Sequence, residues 1–189
     1  MEYLGILLGL IEIGHSWSIP IIVLVLLIRP KNSFVREVLE NANLLFAAAA
    51  FLGALQMLGY SGYELLAGEG WAQFSIVNRF FGPYWYVWAI KMASGTAMPL
   101  LLFWQRMRRS IGFSLVCCLQ IWLMPFLVSW LLTLLPRTYL PSSWKVIDPI
   151  PLMGFWKWIC YILILTAIVL IARRWPNLWR RGESAQKSN

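Results

Sequence analysis

Five long apolar stretches separated by short polar connections limit this chain to a very small set of folds. The stretches run Tyr3 to Ile28, Ala42 to Leu66, Tyr84 to Trp104, Ile111 to Leu135 and Leu152 to Ala172. As helices, all are long enough to cross a hydrocarbon core about 30 Å thick. No water inside that core can bond a free N–H or C=O, so only helices and closed barrels span it. None of the stretches alternates strictly as a barrel strand does. The expected fold is therefore all-α, an integral membrane bundle of about five transmembrane helices. Composition agrees: 60% of the 189 residues are hydrophobic and 13% charged, and the mean hydropathy of +0.66 is far above that of a soluble domain. Glu2 rather than a basic run precedes the first stretch, which also contains Glu12 and His15, so it reads as a retained helix and not a cleaved leader.

The basic residues set the orientation. Arg29, Lys31 and Arg36 follow the first stretch, Arg106, Arg108 and Arg109 the third, and Arg173, Arg174, Arg180, Arg181 and Lys187 the fifth. The intervening connections hold only Arg79, Arg137 and Lys145. By the positive-inside rule the N-terminus is outside and the C-terminus cytoplasmic. The net charge of +8 lies beside helix ends, where topology and anionic lipid headgroups account for it, and no nucleic-acid partner is expected. Residues 1–181 are read as one five-helix transmembrane domain and 182–189 as a polar, disordered cytoplasmic tail. Trp71, Trp85, Trp144, Trp156 and Trp158 are expected at the outer interface and Trp104, Trp175 and Trp179 at the inner one.

Two connections on the outer side stand out: Ala67 to Pro83, and the proline-stiffened Pro136 to Pro151. Pro20, Pro99 and Pro125 fall within the first, third and fourth stretches, where each removes a backbone bond and can kink a helix. Gly53, Gly59, Ala93 and Gly95 offer small faces for close helix approach.

The inventory of reactive groups is short. A bis-histidine haem needs two imidazoles, and His15 is the sole histidine. Cys117, Cys118 and Cys160 lack metal or cluster spacing, so no metal site is expected and the cysteines read as packing residues. With no phosphate-binding loop and no nucleophile paired with a base, no catalytic residue is assigned. What remains are ionisable groups inside the apolar stretches, which are costly unless they pair or reach water. Glu12 and His15 are three residues apart on one helix face, and Lys91 lies about two turns into the third helix. These three form the candidate proton or quinol site, although a helix-locking pair is an equally physical use of Glu12 and His15. Lys91 has two further options, snorkelling to the outer interface or pairing with Glu64. Asn41, Asn43, Gln56 and Gln120 are expected to hydrogen-bond between helices. A small transporter is a further reading, but few polar residues are available to line a path.

The order of motifs resembles a known family. The run Tyr60-Ser61-Gly62-Tyr63-Glu64 is followed by Asn78-Arg79-Phe80-Phe81-Gly82-Pro83-Tyr84. A helix containing Pro99 comes next, ending in basic residues after Trp104, and then Tyr139-Leu140-Pro141-Ser142-Ser143-Trp144. Together these are similar to the NrfD or polysulfide-reductase type of membrane subunit, above all to the C-terminal half of the quinol-oxidising membrane subunits of alternative complex III. The resemblance implies a half-size, multi-pass subunit of a respiratory electron-transfer assembly in the bacterial inner (cytoplasmic) membrane. It implies as partners other membrane subunits or a second copy, together with extracytoplasmic iron–sulfur and cytochrome c subunits carrying the clusters and haem. No cofactor is expected on this chain alone, and quinol only at a site shared with a partner. Asn78, Arg79, Gly82, Pro83 and Tyr84 would shape one docking loop, and Leu140, Pro141, Ser142, Ser143 and Trp144 the other. Where such subunits tend to carry a Glu-Arg pair this chain has Met124-Pro125, and Pro136-Arg137-Thr138 stands in place of His-Arg-Asp. The loss of those polar groups implies a mainly structural, docking role, with a quinol-binding or proton-relay subunit as the alternative.

Overall fold

A computed structural model describes residues 2–82, 85–133 and 151–174, and every secondary-structure element among them is helical. The chain forms α1 (Glu2–Ile28), α2 (Ser33–Ala67), α3 (Gly70–Phe81) and α4 (Trp85–Met92). α4 continues through a π turn (Ala93–Ala97), α5 (Met98–Leu100) and a 3-10 turn (Leu101–Phe103) as one irregular rod. α6 (Gln105–Arg108), α7 (Ile111–Thr133) and α8 (Pro151–Arg174) follow. Four spans are long and apolar enough to cross a membrane: Tyr3–Ile28, Ser33–Ala67, Trp85–Phe103 and Gly154–Arg174. The fourth expected span corresponds to α7, whose backbone runs 23 residues and whose Ile111–Met124 part is a shorter apolar helix.

α1 is the central helix. Half of its spanning window is buried, against 28% or less in the other three, and it packs on α2, α7 and α8. Ile11, Ile19, Val23 and Leu26 of α1 form the core with Leu39 and Ala42 of α2, Cys118 of α7, and Tyr161, Leu165 and Val169 of α8. Close approach is made by a small residue: a Cβ on Gly14 would collide with the Tyr161 ring of α8. Of the small residues expected to serve this purpose, Gly53 meets Leu8 of α1 at ordinary contact, whereas Gly59 and Gly95 face open space.

Pro20 and Pro99 are accommodated in different ways. Pro20 cannot donate to the Ser16 carbonyl one turn back. That carbonyl is taken instead by the Cys118 thiol of α7, which donates to it at 3.1 Å. Pro20 thus ties α1 to α7, and Cys118 is more than a packing residue. Around Pro99 the ladder widens before the proline, with the Met98 N–H reaching Ala93 O, and tightens after it, with Trp104 N bonded to Leu101 O at 3.0 Å.

α2 begins earlier than its apolar stretch. At 35 residues it is about 52 Å long, well beyond a hydrocarbon core. Asn32 caps it, accepting from Val35 N at 3.2 Å. The additional turns carry Glu37 and Glu40, which pair with Arg173 of α8 at 3.0 Å and with Arg109 beyond α6 at 2.8 Å. The start of α2, the residues after α6 and the end of α8 therefore meet at one end of the bundle. Two of the tryptophans assigned to interfaces differ in setting: Trp156 is exposed, whereas Trp158 turns inward, beside Trp17, and its Nε1 donates to Ser18 Oγ at 3.1 Å.

The Ala67 to Pro83 connection, expected as a loop, is largely the helix α3. Trp71, Phe74, Val77 and Phe81 recur at helical spacing on it and are exposed, while Ile76 is buried. An apolar stripe at a membrane boundary favours a helix because the backbone then satisfies itself. Asn78 and Arg79 accordingly lie in the last turn of a helix rather than on a loop. Gly82 ends it, with its N–H on Asn78 O at 2.9 Å and no room for a Cβ against that residue. Pro83, Tyr84, the 134–150 segment with Leu140, Pro141, Ser142, Ser143 and Trp144, and the 182–189 tail lie outside the described residues.

Gly14→Ala should destabilise the protein by about 1–3 kcal/mol through overpacking on Tyr161. Gly59→Ala, with open space around it, should be neutral or stabilising by up to about 1 kcal/mol. Thermal unfolding of both variants in one detergent checks the contrast.

Candidate functional site

The bundle interior holds one polar network. His15 of α1, Asn43 of α2 and Ser114 of α7 are each fully buried. Asn43 Nδ2 donates to Ser114 Oγ at 2.7 Å and to the Arg108 carbonyl of α6 at 2.8 Å. Ser114 Oγ donates onward to Ser110 O at 2.9 Å. Both amide donations fix Asn43 Oδ1 as an acceptor, so the His15 Nε2 at 3.1 Å must carry the hydrogen. Phe46, one turn on from Asn43, stacks on the imidazole with centroids 4.2 Å apart. His15 Nδ1 is then an acceptor with no hydrogen-bond partner among the described residues.

Glu12 has a different setting. Three residues separate it from His15, about 60° around a helix, and this offset puts His15 inside and Glu12 at an open edge. Glu12 is exposed and lines a cleft of about 270 Å³ between α1, α2, α4, the π turn and α7. Lys91, also exposed, lines the same cleft, as do Thr96 and Gln120. Among the described residues, no ion pair within 4.0 Å joins Glu12 to Lys91. Gln120 Oε1 is buried and has no hydrogen-bond partner among the described residues. The rest of the wall is apolar or small, including Leu8, Ala50, Gly53 and Gly95.

The three sequence-derived candidates therefore divide. Glu12 and Lys91 share a cleft, while His15 belongs to the interior network, and Phe46 touches both because it lines the cleft and stacks on the imidazole. Of the polar residues expected to bond between helices, Asn43 does so. Asn41 instead donates to Glu37 O of its own helix at 2.9 Å. Gln120 takes its place in the cleft wall. Thr96 and the π turn are not singled out by sequence; the signal is Pro99, which disturbs the ladder just where the cleft needs an irregular wall. Among the described residues there is no group of three or more His, Cys, Asp or Glu side chains able to hold a metal ion. Cys117 and Cys118 are buried and Cys160 is exposed.

Opposite charges on either side of an apolar cleft can hold a polar headgroup or ring by its donors and acceptors, and a carboxylate there can exchange a proton with such a ligand. No protein-family model, no curated protein and no solved structure matches this chain.

Asn43→Ala removes the bonds from α2 to three other elements and should cost about 1–2 kcal/mol, the upper range for hydrogen bonds between membrane helices. Asn41→Ala, whose bond stays within α2, should cost less than half as much. Unfolding of the two variants in mixed micelles decides the ranking.

Proposed function

We propose that this chain is a half-size membrane subunit of a respiratory electron-transfer assembly of the alternative-complex-III-like, NrfD type, with a mainly structural and docking role. In this reading it lies in the bacterial inner membrane with its N-terminus outside and its C-terminus cytoplasmic. Partner helices or a second copy complete the bundle, and extracytoplasmic iron–sulfur and cytochrome c subunits dock on the outer side. The observation that carries the reading is the exposure of Glu12 and Lys91 on an open cleft within membrane-crossing spans. Ionisable groups facing lipid at that depth cost several kcal/mol. A subunit interface that covers the cleft, or admits water to it, removes the cost. The motifs around Asn78 to Tyr84 and Leu140 to Trp144 supply the likeness to the family.

A second reading is favoured by the unpaired Gln120 oxygen beside those charges. The cleft is then one wall of a quinol-binding or proton-relay site shared with a partner chain, in which Glu12 accepts the proton and Lys91 and Gln120 orient the ring.

Purification from the native membrane in mild detergent, with mass spectrometry of the accompanying chains and a visible spectrum, tests the first reading. Haem absorbance with iron–sulfur and cytochrome chains is expected; a colourless preparation of this chain alone overturns it. Arg79→Ala, in the last turn of α3, should reduce recovery of the extracytoplasmic chains several-fold, and undiminished recovery removes that helix from docking. Glu12→Gln should leave assembly intact. If the cleft binds quinol, the variant should lower quinol turnover at least about tenfold; unchanged turnover leaves the structural role alone.

A further inference from the structure

On another face of the bundle, α1, α2 and α8 enclose a second groove of about 330 Å³, and its chemistry is unlike that of the charged cleft. Its walls are apolar, formed by residues such as Ile22, Val38 and Leu165. At the deep end the Trp158 Nε1 hydrogen is already given to Ser18 Oγ at 3.1 Å, so that donor is satisfied within the protein. At the other end stands Arg173, the one charged residue lining the groove among the described residues. Its guanidinium lies 4.5 Å from the centre of the Phe34 ring, and its Nε and Nη2 both reach Glu37 Oε2, at 3.1 and 3.0 Å. These contacts hold Arg173 over the groove mouth while leaving its side chain about half exposed.

Length and charge identify an occupant. From Trp158 to Arg173 the groove follows α8 for about 22 Å, which matches one leaflet, half of a hydrocarbon core about 30 Å thick, plus its headgroup edge. Ile21, Ile162 and Leu170 are exposed along it, so the groove opens sideways to the membrane interior. Its Arg173 end is the basic end of the bundle. There Arg29, Lys31 and Arg36, the three arginines at 106, 108 and 109, and Arg173 and Arg174 outweigh Glu37 and Glu40. A hydrophobic slot of leaflet length ending in excess positive charge complements one lipid chain with a negative head.

We propose that this groove is a binding site for an anionic phospholipid, one acyl chain lying between α1 and α8 and the phosphate-bearing head beside Arg173. The site is separate from the cleft of Glu12 and Lys91, and no step of the proposed respiratory role depends on it.

Native mass spectrometry of the detergent-purified protein, incubated with palmitoyl-oleoyl phosphatidylglycerol or with phosphatidylcholine of the same chains, tests the site. One phosphatidylglycerol should be retained per chain, about fivefold more than phosphatidylcholine, the worth of one arginine beside an anionic head. Arg173→Gln should abolish the preference and Arg173→Lys should preserve it. Thr166→Trp, which fills the groove from an exposed position on α8, should abolish retention of both lipids, with an unchanged melting temperature showing that the fold persists. Leu170→Trp serves the same end should Thr166→Trp fail to fold. Equal retention of the two lipids by the unmodified protein overturns the proposal as a mere annular layer. Retention that survives the groove-filling variant, or a membrane protein found in the groove by cross-linking to Thr166→Cys, overturns it as well.

Discussion

One carboxamide joins four helices, α1, α2, α6 and α7. Asn43 accepts from His15 of α1 and donates to Ser114 of α7 and to the carbonyl that ends α6. In water such bonds are exchanged for bonds to solvent and contribute little net. Inside a membrane bundle there is no hydrophobic difference between lipid and a neighbouring helix to drive association, so geometry comes from close packing and from polar atoms that must find partners. The close packing is supplied by Gly14 against Tyr161 and the polar closure by Asn43 of α2, and the α1 residues that receive them, Gly14 and His15, are adjacent. α8 and α7 are thereby fixed to the same turn of the central helix.

Much of this architecture is legible from the amino-acid order, because the bilayer imposes a coarse and strict rule. Apolar length reveals the spans, and Arg and Lys placement groups the helix ends that meet at Glu37 and Glu40. What escapes is whatever depends on angle rather than on length. Glu12 and His15 read as one site because three residues place them on roughly one side of a helix, yet the remaining rotation is enough to bury one and open the other. Asn43 and Asn41 look alike on the page, and only the facing of α2 decides that the first crosses to other helices while the second serves its own backbone. α3 is hidden for another reason. Its stripe of Trp71, Phe74, Val77 and Phe81 is too short for a span and is interrupted by polar residues, so neither apolar length nor a continuous run marks it in the sequence.

The prolines show the same division between what order reveals and what packing decides. Pro20, Pro99 and Pro125 can each be marked as a lost hydrogen bond, but the consequence depends on what stands opposite. At Pro20 a thiol from α7 replaces the missing donor, so the helix continues and gains a cross-link of its own kind. At Pro99 the backbone reorganises into a π turn and then a 3-10 turn, and the irregular wall contributes Gly95 and Thr96 to the cleft. One proline thus consolidates the bundle and the other shapes an opening in it.

The two openings differ in the environment each can face. The cleft of Glu12, Lys91 and Gln120 exposes groups that hydrocarbon would penalise, so its natural cover is protein, water or a ligand with polar atoms of its own. The groove between α1 and α8 is apolar apart from its Arg173 end, so hydrocarbon could fill the rest of it without penalty. α1 lines both, with Leu8 and Glu12 on the cleft and Ser18, Ile21 and Ile22 on the groove. A single helix therefore separates a face suited to assembly from a face suited to lipid. The same network at His15 and Asn43 that centres α1 in the bundle sets how far each face is turned outward.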